Sequence, residues 1–227
     1  MIEVDLAQSS VRELNQRLHR IGAGDNEHHW RVVNPNGAHA IAVGLTVPVN
    51  VEIRGHVGYY CAGMNAAATV VVDGHAGTGI AENIMSGSVR VRGNAAQSAA
   101  ASGRGGLVVI EGDASARCGI SMKGVTIVVG GSVGHMSAFM GHAGTLVVRG
   151  DAGHDLGDSI YEADIFVAGK VASLGADCVE KEMTPADIDR VSALLGCAQI
   201  VADTGRFRRY GSARRLYNFH IDHAAEY

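Results

Sequence analysis

No apolar run in the chain approaches the roughly 20 residues that a membrane-spanning helix needs. The opening stretch, MIEVDLAQSSVRELNQRL, also lacks the apolar centre of a signal peptide. These absences exclude a bilayer span and a secretory leader, and they predict a cytoplasmic protein. An excess of positive charge is missing as well: 19 Lys and Arg against 23 Asp and Glu leave a net charge of -4. Without a broad positive field to draw in phosphate backbones, nucleic acid is not the expected partner. There is no C-x-x-C pair, and the catalytic signatures G-x-S-x-G, H-E-x-x-H and the P-loop lysine motif are all absent. No catalytic, cofactor-binding or metal-ligating residue is assigned from motifs.

What the chain does have is a phrase that returns. Five mainly apolar, largely β-branched residues precede a glycine in TVVVDG, LVVIEG, TIVVGG, TLVVRG and DIFVAG. The glycines that close the phrase are Gly55, Gly74, Gly93, Gly112, Gly131, Gly150 and Gly169, every interval being 19 residues. A fixed period near 20 marks a solenoid, whose coils bury their apolar faces only by stacking. The β-branched runs read as strands, and each glycine, often followed by His, Asn or Asp, is expected to supply the positive φ of a tight corner. A second corner is predicted at MSG (85–87), GRGG (103–106) and MKG (122–124). The fold expected is an all-β solenoid, a single-stranded right-handed parallel β-helix of about seven 19-residue coils, roughly 34 Å long at about 4.8 Å per coil.

Both ends carry helical signals, which suit caps for the open edges of a solenoid. Near the start, Ser10 and Glu13 have capping-box spacing, Val11, Leu14, Leu18 and Ile21 fall on one face, and Gly22 is the expected stop. Near the end, Thr184 is the expected N-cap, Pro185 the first helical residue, and Gly196 the residue past the last turn. Residues 1–36 are therefore read as a capping helix and lead-in, 37–178 as the β-helix, and 179–227 as a C-terminal helix and tail. The segment HAIAVGLTVPVNVEIRG is read as extended.

If residues 19 apart stack, equal register becomes adjacency. Cys61 and Cys118 lie three periods apart, roughly 14 Å along the axis and beyond disulfide reach. With Cys178 and Cys197 they are expected to be buried free thiols. His135 and His154 share a register and could form a metal pair, but Ala116 and Ser173 flank them in the column, so no ligand cluster converges. His56 and His75, followed by Asn94 and Asp113, form a column of turn residues.

Arg104, Lys123, His142 and Tyr161 all lie eleven places after a repeat glycine. Stacked like charges repel unless an anion answers them. Either this strip meets a partner's acidic face, or it is a solvated ridge with ion pairs to residues such as Glu82 or Glu111, and the second reading is preferred. The tail interleaves Arg206, Phe207, Arg208, Arg209, Arg214, Arg215 and Tyr217, suited either to docking on a protein or to solvation. A self-sufficient β-helix enzyme would need paired carboxylates at one register of adjacent coils, whereas Glu82, Asp158, Glu162 and Asp164 are scattered over several.

The ordered phrases GHVGYYCAGMNAAATVVVDGHAG, AENIMSGSVRVRGNA, GRGGLVVIEGDASARCGISMKG, GGSVGHMSAFM, LGDSIYEADIFVAG and SLGADCVEKEM resemble the glycine-motif (GXGXG) C-terminal domain of glutamate synthase in its stand-alone form. The resemblance runs from about Gly37 to the end. With the ending FRRYGSARRLYNF, it is most similar to the small β-helix subunits of N-methylglutamate synthases (methylamine–glutamate N-methyltransferases). It implies a non-catalytic scaffold that aligns a class II glutamine amidotransferase-like subunit with an FMN-binding glutamate synthase-like subunit, FMN and an iron–sulfur cluster residing on a partner. The complex would convert methylamine and glutamate to N-methylglutamate and ammonia. A formylmethanofuran dehydrogenase-like complex, or an ordinary glutamate synthase-like one, is the alternative setting. No cysteine follows Met1, and no cysteine cluster for iron and sulfur is present.

Overall fold

The computed structural model describes residues 1–22 and 28–215. Its strands form one sheet. Strands β1 (Ile2–Asp5), β2 (His29–Val33), β3 (Asn50–Arg54), β4 (Thr69–Asp73), β5 (Ser88–Val91), β6 (Leu107–Ile110), β7 (Lys123–Val129), β8 (Ala143–Val148) and β9 (Asp164–Val167) pair in parallel, in chain order. Two antiparallel strands close the far end, with β11 (Arg208–Ser212) lying between β9 and β10 (Cys178–Lys181). From β3 to β9 the partner of each residue is the one 19 places on, as in Val51, Val70, Val89, Val108, Ile127, Leu146 and Ile165, except at the start of β7, where Lys123 pairs with Ala143 across a register shift. The repeat is thus a β-solenoid, and its ladder continues ahead of the first repeat glycine through β2 and β1.

Alternation along each strand explains the β-branched phrase. The residues four and two places before each glycine point into the coil and are buried, among them Val70 and Val72 of β4 and Ile127 and Val129 of β7. Burying such a side chain stabilises by about 1.5–3 kcal/mol, and stacking repeats that gain in every coil.

The repeat glycines act differently from the expectation. Only Gly55 has a positive φ, +130°. The other six have ordinary backbones, and their need is close approach: a Cβ on Gly74 would lie 2.6 Å from the carbonyl carbon and oxygen of Gly55, and one on Gly150 2.6 Å from the Gly131 oxygen. The column is bonded by its own backbone, with the Gly93 amide donating to the Gly74 oxygen and Gly131 to Gly112. Beside it runs a second ladder, in which each side chain after the glycine accepts from the backbone N–H of its counterpart one coil on. His56 Nδ1 accepts from His75 N–H (3.0 Å), His75 Nδ1 from Asn94, Asn94 Oδ1 from Asp113, Asp113 Oδ1 from Ser132 (2.7 Å), Ser132 Oγ from Asp151, and Asp151 Oδ1 from Lys170. The requirement at that column is an acceptor atom on a short side chain, which explains why His, Asn, Asp and Ser alternate there.

The opposite side of each coil is built from turns. Three alternate residues per coil take left-handed conformations, for example Tyr60, Ala62 and Met64, or Met136, Ala138 and Met140. Left-handed backbone disfavours bulky side chains, most of all where the residue also faces inward. The middle position is therefore Ala62, Ala81, Ala100, Gly119, Ala138 or Gly157, all buried. Of the stretch 39–55, expected to be extended, residues 50–54 form β3 but 39–49 form such a turn coil, with Ala40 and Ala42 left-handed. The predicted second corners are present, Gly87 and Gly106 having φ of +77° and +78°.

The near end is closed by the N-terminal helix and the far end by β11 and β10, whereas the C-terminal helix, expected as a cap, packs on the side of the solenoid. Helix α1 (Val11–His19) has the predicted Ser10–Glu13 capping box but ends before Gly22, at Arg20. Its Asn15 amide donates to Ala40 O (2.8 Å) while its oxygen accepts from Ala42 N–H (2.9 Å), and His19 Nε2 meets Val43 O at 2.7 Å. The backbone edge of the first turn coil is satisfied in this way. Helix α2 (Pro185–Ala198) starts at Thr184 as expected but runs through Gly196, stopping where Gln199 turns left-handed. It lies on the outer face of β6–β9, where Val191, Leu195 and Ala198 pack on Val109, Val128, Val147 and Phe166. Arg90 donates to Ala198 O (2.8 Å), placing a cation at the negative end of the helix. Among the described residues no helix is long and apolar enough to cross a membrane.

Candidate functional site

The strip of Arg104, Lys123, His142 and Tyr161 sits where each coil leaves its turn segment. Their amides donate in one register to Ile84 O, Gly103 O, Met122 O and Gly141 O, so the four stack on successive coils. Arg104, Lys123 and His142 are exposed, and the His142 and Tyr161 rings stack at 4.7 Å with planes 7° apart. The expected ion pairs to Glu82 or Glu111 do not form: Glu111 binds Arg90 at 2.8 Å. Among the described residues neither Arg104 nor Lys123 has a side-chain hydrogen bond or ion pair, and the same holds for exposed Arg117 on the same turn face.

The tail residues divide. Phe207 is buried under α2 against the outer valines. Arg209 holds the cap together, with Nη2 and Nε 2.8 and 3.1 Å from Asp164 Oδ1 and Nη1 3.4 Å from Asp187. Arg208 is 3.6 Å from Glu180 and donates to Gly169 O, and Arg214 pairs with Glu162 at 2.8 Å. Neither Phe207 nor Arg209 is available to a partner, because the open edge of β9 needs β11 and its flanks as cover. Arg206 and Arg215 are exposed, and Tyr217 lies outside the described residues.

The other candidates have structural partners. His135 Nδ1 is 3.7 Å from Asp155, and His154 Nδ1 lies 3.4 Å from Ser173 Oγ, so the two histidines do not form a pair of their own. Among the described residues no three His, Cys, Asp or Glu side chains converge. In the GRGG segment the Gly103 and Arg104 amides are bonded to Ala100 O and Ile84 O. Of the scattered acids, Asp164 binds Arg190 and Arg209, Glu162 binds Arg214, and Asp158 accepts from Ser159 and the Ala176 amide.

All four thiols are free. Burial pushes Cys61, Cys118 and Cys178 up to about 12. Cys197, expected to be buried, is exposed on α2.

One column escaped the sequence reading. Three places before each glycine the side chain points outward: Glu52, Val71 and Arg90, then Val109, Val128, Val147 and Phe166. From the fourth coil on the column is apolar without interruption, which marks where α2 and Phe207 lie and was readable from the repeat alignment.

No family model matches the chain, and no solved structure does. A curated protein does: the chain is 64% identical over 225 residues to Protein GlxC of Rhizobium meliloti (strain 1021), covering 99% of each. The chain belongs to the family of Protein GlxC.

Proposed function

We propose that the protein is the β-helix scaffold subunit of a glutamate synthase-like, flavin-dependent complex that converts methylamine and glutamate to N-methylglutamate and ammonia. In that exchange the methylamine nitrogen forms a bond to the α-carbon of glutamate and the original amino nitrogen leaves as ammonia, with no net oxidation. The amidotransferase-like and FMN-binding units, with the iron–sulfur cluster, belong to other chains. This chain's part is to hold them at a fixed separation.

The observation that supports the reading is the unbroken column of close-approach glycines, Gly74 to Gly169, on the same phrases that resemble the glutamate synthase glycine-motif domain. The column suits a rigid spacer, because each coil is bonded through backbone and side chain to the next. Asp164 and Glu162 are engaged in structural pairs with Arg190, Arg209 and Arg214, which suits a structural part for them.

The test is purification from the native organism through an N-terminal tag. Two further subunits, flavin absorbance and transfer of labelled methylamine into N-methylglutamate are expected. A chain recovered alone, or one that turns over substrate by itself, overturns the proposal. A complex that incorporates ammonia and rejects methylamine moves it to the ordinary glutamate synthase reaction.

A further inference from the structure

We infer that the turn face of the middle coils is the surface on which an acidic face of a partner subunit docks, resting on the scaffold reading for the existence of that partner. The first observation is a contrast in how cations are used. Elsewhere on the solenoid Arg31, Arg54, Arg90, Arg92, Arg190 and Arg209 are each within 4 Å of a carboxylate, exposed Arg149 and Lys170 being exceptions. On the turn face Arg104, Arg117 and Lys123 are exposed and have no side-chain partner among the described residues, although the chain as a whole carries a net charge of -4. Arg104 and Lys123 occupy one register on adjacent coils, about 4.8 Å apart along the axis, so they repel each other in the free chain. An anionic surface laid across them removes that repulsion and adds attraction, and this commits the occupant to acidic character.

The second observation is what surrounds those cations. Of the seven methionines in the chain, four lie on this face: Met64 and Met85 exposed, Met136 and Met140 half-buried. Half-buried Phe139 and the stacked His142–Tyr161 pair border the same strip. Methionine, arginine and aromatic side chains are the types enriched at protein interfaces, and methionine adapts to an irregular partner surface. The third observation is rigidity. The backbone beneath the strip is bonded to the coils on both sides, Ser102 N–H to Ile120 O and Lys123 N–H to Gly103 O among others. Docking therefore orders little beyond side chains, which limits the entropic cost of association.

The test uses the tagged full-length chain in its native host, comparing the wild type with Arg104→Glu/Lys123→Glu and with a control, Arg149→Glu/Lys170→Glu, whose cations are exposed elsewhere on the solenoid. The readouts are the amount of each co-purified subunit and the flavin absorbance per chain. The turn-face variant is expected to lose about ten-fold or more of both, and the control nothing, since opposed like charges at an interface act on the order of that much. The milder Arg104→Gln/Lys123→Gln variant should fall in between, with all variants melting at the wild-type temperature.

Equal recovery of subunits by the wild type and both turn-face variants sinks the docking surface alone. Recovery of the wild type by itself sinks the scaffold reading and the docking surface together. Loss of subunits that tracks a lowered melting temperature, or self-association of the wild type that the Glu variant abolishes, overturns the acidic-partner assignment.

Discussion

Replacing Gly131 by Ala separates two explanations of the glycine column. The backbone there is not left-handed, so alanine is permitted conformationally and only space can resist it. The added methyl carbon would lie 2.8 Å from the carbonyl carbon and oxygen of Gly112 and would collide with Asp113 Oδ1. Asp113 cannot move aside without giving up the 2.7 Å bond it accepts from Ser132 N–H. Loss of that bond costs about 1 kcal/mol, and forcing the coils apart costs about 1–3 kcal/mol more. A net destabilisation of roughly 2–4 kcal/mol follows, read as a lower urea midpoint at unchanged slope in far-ultraviolet circular dichroism.

The internal control is Gly196→Ala. That glycine lies inside α2 with nothing within 4 Å of the added carbon. The same chemical change should stabilise there by about 0.8–1 kcal/mol through helix propensity. Opposite signs at the two positions are the signature of close approach. A Gly131→Ala protein with a midpoint at or above the wild-type value would refute it.

Three further outcomes are expected. Asn15→Leu should destabilise by about 1–3 kcal/mol and speed hydrogen exchange at the Ala42 amide, because both of its bonds to the first turn coil are lost; unchanged exchange at Ala42 would show that Asn15 does not close the edge. Burial pushes the Asp187 carboxyl up, but the bonds from Thr184 and the neighbouring Arg209 and Arg190 outweigh it and hold it below its ordinary value of 3.8. A depressed carboxylate stabilises fully above its unfolded value and loses that contribution as pH falls through the folded one, so the wild-type urea midpoint should fall more steeply below about pH 4 than that of Asp187→Asn, and parallel curves would contradict this. Native protein should react at Cys197 alone with a thiol reagent, the thiols pushed up to about 12 by burial reacting only on unfolding; rapid labelling of a Cys197→Ser protein would disprove the burial.

The architecture was legible because a solenoid converts distance along the chain into distance along an axis. Val70, Val89 and Val108 are equally spaced in sequence and are hydrogen-bonded neighbours in the sheet. The reason for the glycines was not legible, since a left-handed corner and a steric approach both ask for glycine, and only coordinates separate Gly55, with its positive φ, from Gly131, which has none. The stretch 39–55 reads as extended segments interrupted by Pro48, yet Ala40 and Ala42 turn left-handed to continue the coil. The tail misled for a related reason: arginine among aromatics is equally the composition of a docking arm and of a cap.

The sequence alone thus determined the fold period, the inward columns and the two helices, because those depend on spacing and local propensity. Tertiary structure decided which cations are free. Arg209 and Arg104 look alike in the chain, but one lies beside Asp164 and Asp187 while the other meets no carboxylate among the described residues. Charge pairing depends on which side chains the stacking brings together from outside the repeat, and a period carries no information about that.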